Sequence, residues 1–405
     1  MGKKKAKVTL DLDGSVGDGQ SPVEVDVDER FDDALSNDDK SSHKKRKSPS
    51  RRRSQQVKDS VQSLLEEWKN ADESQSHSDL CALLERFVRS LSSSSEEEIE
   101  AARSLIDFDF VTSLLCRYEA SLSRKDRLLF SLVQWCDAGG HFDFRRISPL
   151  LWGQLAKSKY PELKKLGPSL FSRPSFGEFL ENLDPTSLWY SGLTLDLSLC
   201  PEGAWAEEGE GDETRYDPAF LLPLFGCLLR SENEVDCRLF VESNGLAFSF
   251  FCLSLVDKQL KSMAYLVLAR FLAHLKAATA LAQQRKTTAL TATPTAEFQA
   301  RPMVVYLLTL LRNSVQTPNQ RLNCVASHLL ARLSKLLLHP EDPCYPPLCA
   351  FLLARPQLEL DGSLPEFQRL FHSTSATQHE EERLWLLTLL GEAVRSPWEY
   401  GLVRK

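Results

Sequence analysis

The residues with the strongest chemical character in this sequence are cations. Lys44-Lys45-Arg46-Lys47 and Arg51-Arg52-Arg53 place seven basic side chains within ten positions. Such a run attracts polyanions, and it is also what nuclear import machinery reads. A solvated charge run with neither role has the same composition. Ser48 and Ser50 lie between the two clusters, where a phosphate would cancel part of the positive charge. Lys44, Lys45, Arg46, Lys47, Arg51, Arg52 and Arg53 are therefore the candidates for a nuclear-localisation or nucleic-acid contact, and Ser48 and Ser50 are candidate phosphosites.

Other chemistries are weaker. Ser92–Ser95 precede Glu96-Glu97-Glu98, an acidic-directed phosphosite pattern, but Ser95-x-x-Glu98 is equally a capping box opening a helix at about Glu96. His141 near Asp143 has the elements of acid–base work, yet a lone His beside Gly139-Gly140 is more often a turn residue. His379 followed by Glu380-Glu381-Glu382 offers metal-binding atoms; acidic residues in a first helical turn, complementing the macrodipole, explain them more simply. The glycines from Gly203 to Gly211 are interspersed with acids, which repel phosphate. Asp11-Leu-Asp13-Gly14 begins like a calcium loop, but Val16 and Pro22 stand where its Gly and Glu belong. The 10 cysteines are scattered without a C-x-x-C pair, and the nearest two are Cys344 and Cys349. They read as reduced, intracellular, mostly core thiols. The sequence thus predicts no catalytic set, no metal, no cofactor and no small-molecule substrate.

Composition bounds the rest. The chain has 405 residues, 42% of them hydrophobic and 26% charged, with a net charge of −7. A globally acidic chain does not bind nucleic acid by bulk charge, so any such contact must be local. No apolar signal region follows Met1–Lys7, and Ala6 occupies the position where myristoylation wants Ser or Thr. Apolar runs such as Leu246–Val256 are too short to span a bilayer, so no membrane association is expected.

Helical spacing dominates. Residues 1–56 read as a disordered charged tail carrying the basic cluster. Val61, Leu64, Leu65 and Trp68 then recur at i, i+3, i+4, i+7, and Leu80, Leu83, Leu84, Phe87, Val88 and Leu91 repeat the pattern. Leu128–Cys136 is a third such stretch, stopped by Gly139-Gly140. Prolines punctuate residues 139–215, where short helices are expected at about 148–156 and 175–183 and a loop at Ala206–Thr214. Asp217-Pro218 is an N-cap followed by a first-turn proline. Helices follow at about 234–241, 246–256 and 259–276, then a loop over the Ala/Thr-rich residues 277–299 that extends the preceding helix by at most a turn or two. Thr317-Pro318 repeats the cap signal before a stripe from Leu322 to Leu337, and a last helix spans about Glu380 to Arg395. Trp385, Trp398 and Tyr400 are assigned to core packing. The expected fold is all-α, an irregular armadillo- or HEAT-like solenoid, with a helical region at 57–185 and a helical-repeat domain at 186–405.

The second helical block resembles a known family. Tyr216-Asp217-Pro218-Ala-Phe220, Val235-Asp236-Cys237 through Gly245, Lys261-Ser-Met-Ala264-Tyr265, His339-Pro340-Glu341-Asp342-Pro343-Cys-Tyr345, Leu364-Pro365-Glu-Phe367 and Glu381-Glu382-Arg383-Leu-Trp385 follow in order. Together they are similar to the C-terminal conserved region of the nucleolar pre-ribosomal-associated protein 1 family, over about residues 186–405. The resemblance implies a helical-repeat, nucleolar, non-enzymatic scaffold in early assembly of the large ribosomal subunit and processing of pre-ribosomal RNA. Its partners would be that RNA and ribosome assembly factors, and the family supplies no catalytic residues. It also implies a longer protein, of which this chain is a part. The alternative is a helical-repeat adaptor that binds proteins without touching RNA.

Overall fold

The structure is a computed structural model that describes residues 49–71, 77–92, 102, 104–138, 150–167, 169–199, 214–288, 298–358 and 379–404. For residues 49–57, 77, 92 and 281–288 it describes the backbone alone. Every regular element among the described residues is helical, apart from one antiparallel bridge between Ser121 and Tyr216. The all-α expectation holds. The expected tail lies outside the described residues up to position 48, as do the capping box at Ser95 and Glu98, the His141–Asp143 turn and residues 206–213 of the acidic loop.

The first five helices among the described residues are α1 (Pro49–Asn70), α2 (His77–Ser92), α3 (Phe108–Arg117), α4 (Arg124–Ala138) and α5 (Gly153–Leu166). Helix α1 packs on α2, α2 on α4, and α3 on both α4 and α5. The stripes read from the sequence are the buried faces: Val61, Leu64, Leu65 and Trp68 meet Leu83, Leu84, Phe87 and Leu91 in one core. Helix α1 begins at Pro49, earlier than the expected tail boundary at residue 56. Pro suits a first helical position, and the Arg, Gln and Lys that follow are good helix formers. Helix α5 also departs from expectation. It starts after the anticipated position and runs through Pro161. Pro161 forfeits one backbone hydrogen bond, but Leu155, Ala156, Tyr160 and Leu163 are buried on both sides of it. Burial of that face outweighs the local break.

Next come α6 (Phe176–Glu181), α7 (Pro185–Leu193), α8 (Pro218–Leu228), α9 (Cys237–Glu242) and α10 (Gly245–Phe251). Their starts are chemically explicit. Ser175 and Glu178 form a complete capping box at α6, and Asp184, Asp217 and Asp236 cap α7, α8 and α9 through their carboxylates. All residues of α10 are buried. It packs against α7, against α9, and against two later helices, α11 (Lys258–Thr288) and α13 (Cys324–Leu336). A short 3-10 turn, Cys252–Ser254, leads from α10 toward α11.

Helix α11 is 31 residues long. It absorbs more than three turns of the segment expected to be a loop, because the Ala, Leu, Gln, Arg and Lys at 277–286 are among the strongest helix formers. Helix α12 (Arg301–Ser314), which the stripe reading passed over, connects α11 to α13. Thr317-Pro318 does not cap α13. The segment turns instead, with Gln320 N–H donating to the Thr317 carbonyl and Asn319 at φ 56°, and the cap is Asn323. The chain ends in α14 (Tyr345–Leu353), α15 (His379–Ala393) and α16 (Pro397–Arg404), with α15 packed on α13. Helices thus contact their chain neighbours and the helices two or three further on, the pattern a helical-repeat stack produces.

Candidate docking surfaces and buried polar clusters

Helix α1 carries part of the basic cluster. Ser50, Arg51, Arg52 and Arg53 occupy its first turns, whereas Lys44, Lys45, Arg46, Lys47 and Ser48 lie outside the described residues. The other end of α1 is firmly anchored. Trp68 Nε1 donates to Ser113 Oγ at 2.7 Å, and the Arg117 guanidinium sits 4.5 Å from the centre of the Trp68 ring while bonding the Ala71 carbonyl. Among the described side chains of α1, burial starts at Val61.

Two buried polar clusters were missed from the sequence. The first joins the α3–α4 turn to the segment before α8. Asp126 accepts from Ser121 N–H at 2.8 Å, Ser121 Oγ at 2.7 Å and Glu119 N–H at 3.1 Å. Burial raises its pKa, against the opposing pull of Lys125 and these hydrogen bonds. The same turn pairs with residues 215–217 through Leu122 N–H to the Arg215 carbonyl and Asp217 N–H to the Ala120 carbonyl. Asp217 is partly buried, and its pKa is pushed up to about 6 by burial, with Ala219 N–H and Arg127 acting in the opposite direction. The rings of Tyr118, Phe130 and Trp152 close over this junction against Phe220. The available signal was Ser123-x-x-Asp126, a cap pattern like the one recognised at Ser95; here Ser123 Oγ accepts from Asp126 N–H at 3.2 Å.

The second cluster fastens the last helix. Glu399 accepts from Cys324 N–H at 2.9 Å and from Arg395 N–H at 2.9 Å, and Ser396 Oγ accepts from Glu399 N–H. His328, one turn along α13, donates from Nδ1 to the Cys324 carbonyl at 2.7 Å and packs edge-on against Phe251. Burial lowers its pKa to about 4, helped by Arg395. Arg395 Nη1 meanwhile donates to the Leu195 carbonyl at 2.6 Å. Both clusters hold helices together. Asp126 Oδ2 and both Glu399 oxygens accept from backbone amides, and the cysteine thiols at 252 and 324 are pushed up by burial, away from the reactive range.

Glu380, Glu381 and Glu382 fall in the first turn of α15, where they complement its dipole. No group of three or more His, Cys, Asp or Glu side chains suited to a metal occurs among the described residues. Likewise no described helix is long and apolar enough to cross a membrane. No disulfide joins the described cysteines. The core assignment fails for two aromatic residues. Trp398 is 59% exposed and Tyr400 58%, because their positions on α16 face away from the side that Glu399 ties down. Leu384 and Leu387, one turn apart on α15, are exposed as well.

The described residues make an all-α protein of stacked helices, the class of helical-repeat proteins. Comparison with known proteins gives this class a family. Residues 246–405 match the sequence model of the nucleolar pre-ribosomal-associated protein 1 family. The mouse protein of that name is 32% identical over 302 residues, covering 71% of this chain and 12% of the mouse protein. The human protein is 30% identical over 312 residues, covering 75% of this chain and 13% of its own length. The chain belongs to this family through that region, as the ordered motifs of the second helical block imply. It spans about an eighth of the length of these relatives. No solved structure matches it.

Proposed function

We propose that this chain acts in ribosome biogenesis as a non-enzymatic helical scaffold of the nucleolus. The family match over residues 246–405 carries the reading, since the mouse and human relatives are named as nucleolar, pre-ribosome-associated proteins. On this reading the helical stack holds early large-subunit precursors, contacting pre-ribosomal RNA and assembly factors during RNA processing. Stacked helices suit that task because they expose long surfaces over which many weak contacts add. The arginines of α1 contribute a salt-sensitive contact to RNA phosphates. Exposed Leu384, Leu387, Trp398 and Tyr400 offer apolar area of the kind that protein contacts cover.

The test is to express the tagged chain in cells, crosslink with ultraviolet light, purify under denaturing conditions and sequence the attached RNA. Enrichment of large-subunit precursor RNA supports the scaffold. Co-purification of assembly factors that survives nuclease treatment, with no crosslinked ribosomal RNA, replaces it with the protein-only adaptor.

A further inference from the structure

Helix α15 is apolar on both sides. Glu382, Leu386, Leu389 and Ala393 make its buried face, and α15 packs on α13. A helix with one covered face is ordinarily polar on the other, whereas a helix that is apolar all round is covered all round. The outer face of α15 nevertheless carries Leu384 at 66% and Leu387 at 52% exposure. Glu380, Leu384, Leu387 and Gly391 recur at i, i+4, i+7 and i+11, so they share one stripe. All four are exposed.

Gly391 is the odd member of that stripe. Glycine weakens a helix interior relative to alanine. Nothing among the described residues lies within 4 Å of the place its β-carbon would occupy. No contact inside the fold therefore calls for glycine here, and the space above it is open to a side chain from outside.

The stripe is complementary to its own reverse. Let a second copy of the helix be turned antiparallel about the point between Leu387 and Thr388. Leu384 then lies over Gly391 of the other copy, a large side chain over the smallest one. The two Leu387 side chains meet beside the axis. Glu380 comes beside Arg395 of the other copy, so opposite charges meet at both ends of the stripe. Arg395 is exposed and held in place: Nη1 donates to the Leu195 carbonyl at 2.6 Å and Nε to the Glu392 carbonyl at 3.4 Å. Glu380 is likewise exposed, and its Oε1 stands 4.0 Å from His379 Nε2, beyond hydrogen-bond length.

We propose that the outer face of α15 binds a second copy of this chain, through an antiparallel two-fold pairing of the two α15 helices. Each copy supplies the same residues to the contact, so the pairing closes as a dimer instead of growing into a filament. A single helix face makes an interface at the small end, near or below about 1,200 Å² of buried surface, and the dimer is reversible. The inference is independent of the RNA reading above. It assigns Leu384 and Leu387 to self-association.

The purified full chain is followed by sedimentation equilibrium at increasing concentration. Its average mass should climb from 45.7 kDa toward twice that value. Leu387→Asp should weaken the association about tenfold or more, because it sets a charge where a leucine is buried at the axis. Gly391→Leu should do the same by filling the space that Leu384 enters. Both positions are exposed in the single chain, so far-ultraviolet circular dichroism should stay that of the wild type. The register is read by Leu384→Cys combined with Gly391→Cys. Seven residues of helix, about 10.5 Å of rise, prevent these thiols from bridging within one chain. Across the antiparallel pair they should link two chains in oxidised glutathione, whereas either substitution alone should link no more than the wild type does. A wild-type chain that stays monomeric overturns the proposal and leaves the face to a different protein. A dimer that neither Leu387→Asp nor Gly391→Leu weakens also overturns it, by placing the contact elsewhere. Linkage by a single cysteine variant as complete as that of the pair overturns the antiparallel register.

Discussion

Gly192 in α7 faces the ring of Phe251 in α10 so closely that a β-carbon on the glycine would lie 2.1 Å from the ring's Cδ2. Phe251 is fully buried and also packs edge-on against Trp189 and His328. The ring therefore has nowhere to move. Gly192→Ala should destabilise the fold by about 2 kcal/mol or more through overpacking. Gly391→Ala in α15 is the control: nothing lies within 4 Å of the added carbon, and alanine there should be neutral or stabilising by up to about 1 kcal/mol. Urea unfolding of both variants checks the contrast. Equal midpoints for the two would refute the close approach.

His328 should make the protein acid-sensitive in a defined window. Its folded pKa of about 4 lies below the ordinary value of 6.5. Between those values the unfolded chain binds a proton that the folded chain refuses. The stability that this neutral ring contributes is complete above pH 6.5 and declines as the pH falls toward 4, by on the order of 3 kcal/mol. His328→Leu should flatten the pH dependence of the unfolding free energy across that interval, relative to wild type. An unchanged profile would mean the ring is solvated.

Asp217 has the opposite sign. Its carboxyl is pushed up from 3.8 to about 6. The folded state therefore holds the proton more tightly, a contribution present below pH 3.8 and lost as the pH rises through 6. Asparagine caps a helix as well as aspartate does. Asp217→Asn should accordingly be more stable than wild type at pH 7, by about 1–3 kcal/mol, and the gap should close by pH 4. Thermal melts at the two pH values decide it. A variant less stable at pH 7 would show that the charge is needed there.

The basic run should be separable from folding by mutation. Replacing Lys44–Lys47 and Arg51–Arg53 with glutamine should reduce nucleolar retention of the tagged chain and leave helical circular dichroism and melting temperature unchanged, since burial in the described side chains of α1 starts at Val61. Fluorescence imaging beside a melting curve reads both. A variant that remains fully nucleolar removes this role from the run.

What the sequence revealed depended on how local the cause was. Asp217-Pro218 involves neighbouring residues, and its cap forms as short-range chemistry dictates. The stripe from Val61 to Trp68 likewise needs only helical spacing to mark a buried face. Thr317-Pro318 misled because the same dipeptide serves a turn, and Asn323 lay nearer the stripe it had to start. The Ala/Thr-rich stretch after residue 276 was misjudged by the absence of a stripe, although its alanines favour helix without one.

The buried polar sites required tertiary knowledge. Nothing about Lys261 in isolation distinguishes it from a solvated lysine, yet the fold leaves it only 7% exposed. Glu399 reads as an ordinary first-turn acid until its link to Cys324 appears. Trp398 and Tyr400 show the reverse error, since residue type states how apolar a side chain is and says nothing of which neighbour covers it.

The encirclement of α10 has a consequence for how the chain is made. Its neighbours α7 and α9 precede it in the chain, but α11 and α13 are synthesised afterwards. While translation continues from Phe251 toward Leu336, a segment of three phenylalanines, a leucine and an alanine has only half its covering. Nascent chains in that interval are exposed to aggregation and to capture by chaperones. Slow translation or a stall between residues 252 and 336 should therefore leave the product insoluble far more often than a stall after α13 is complete.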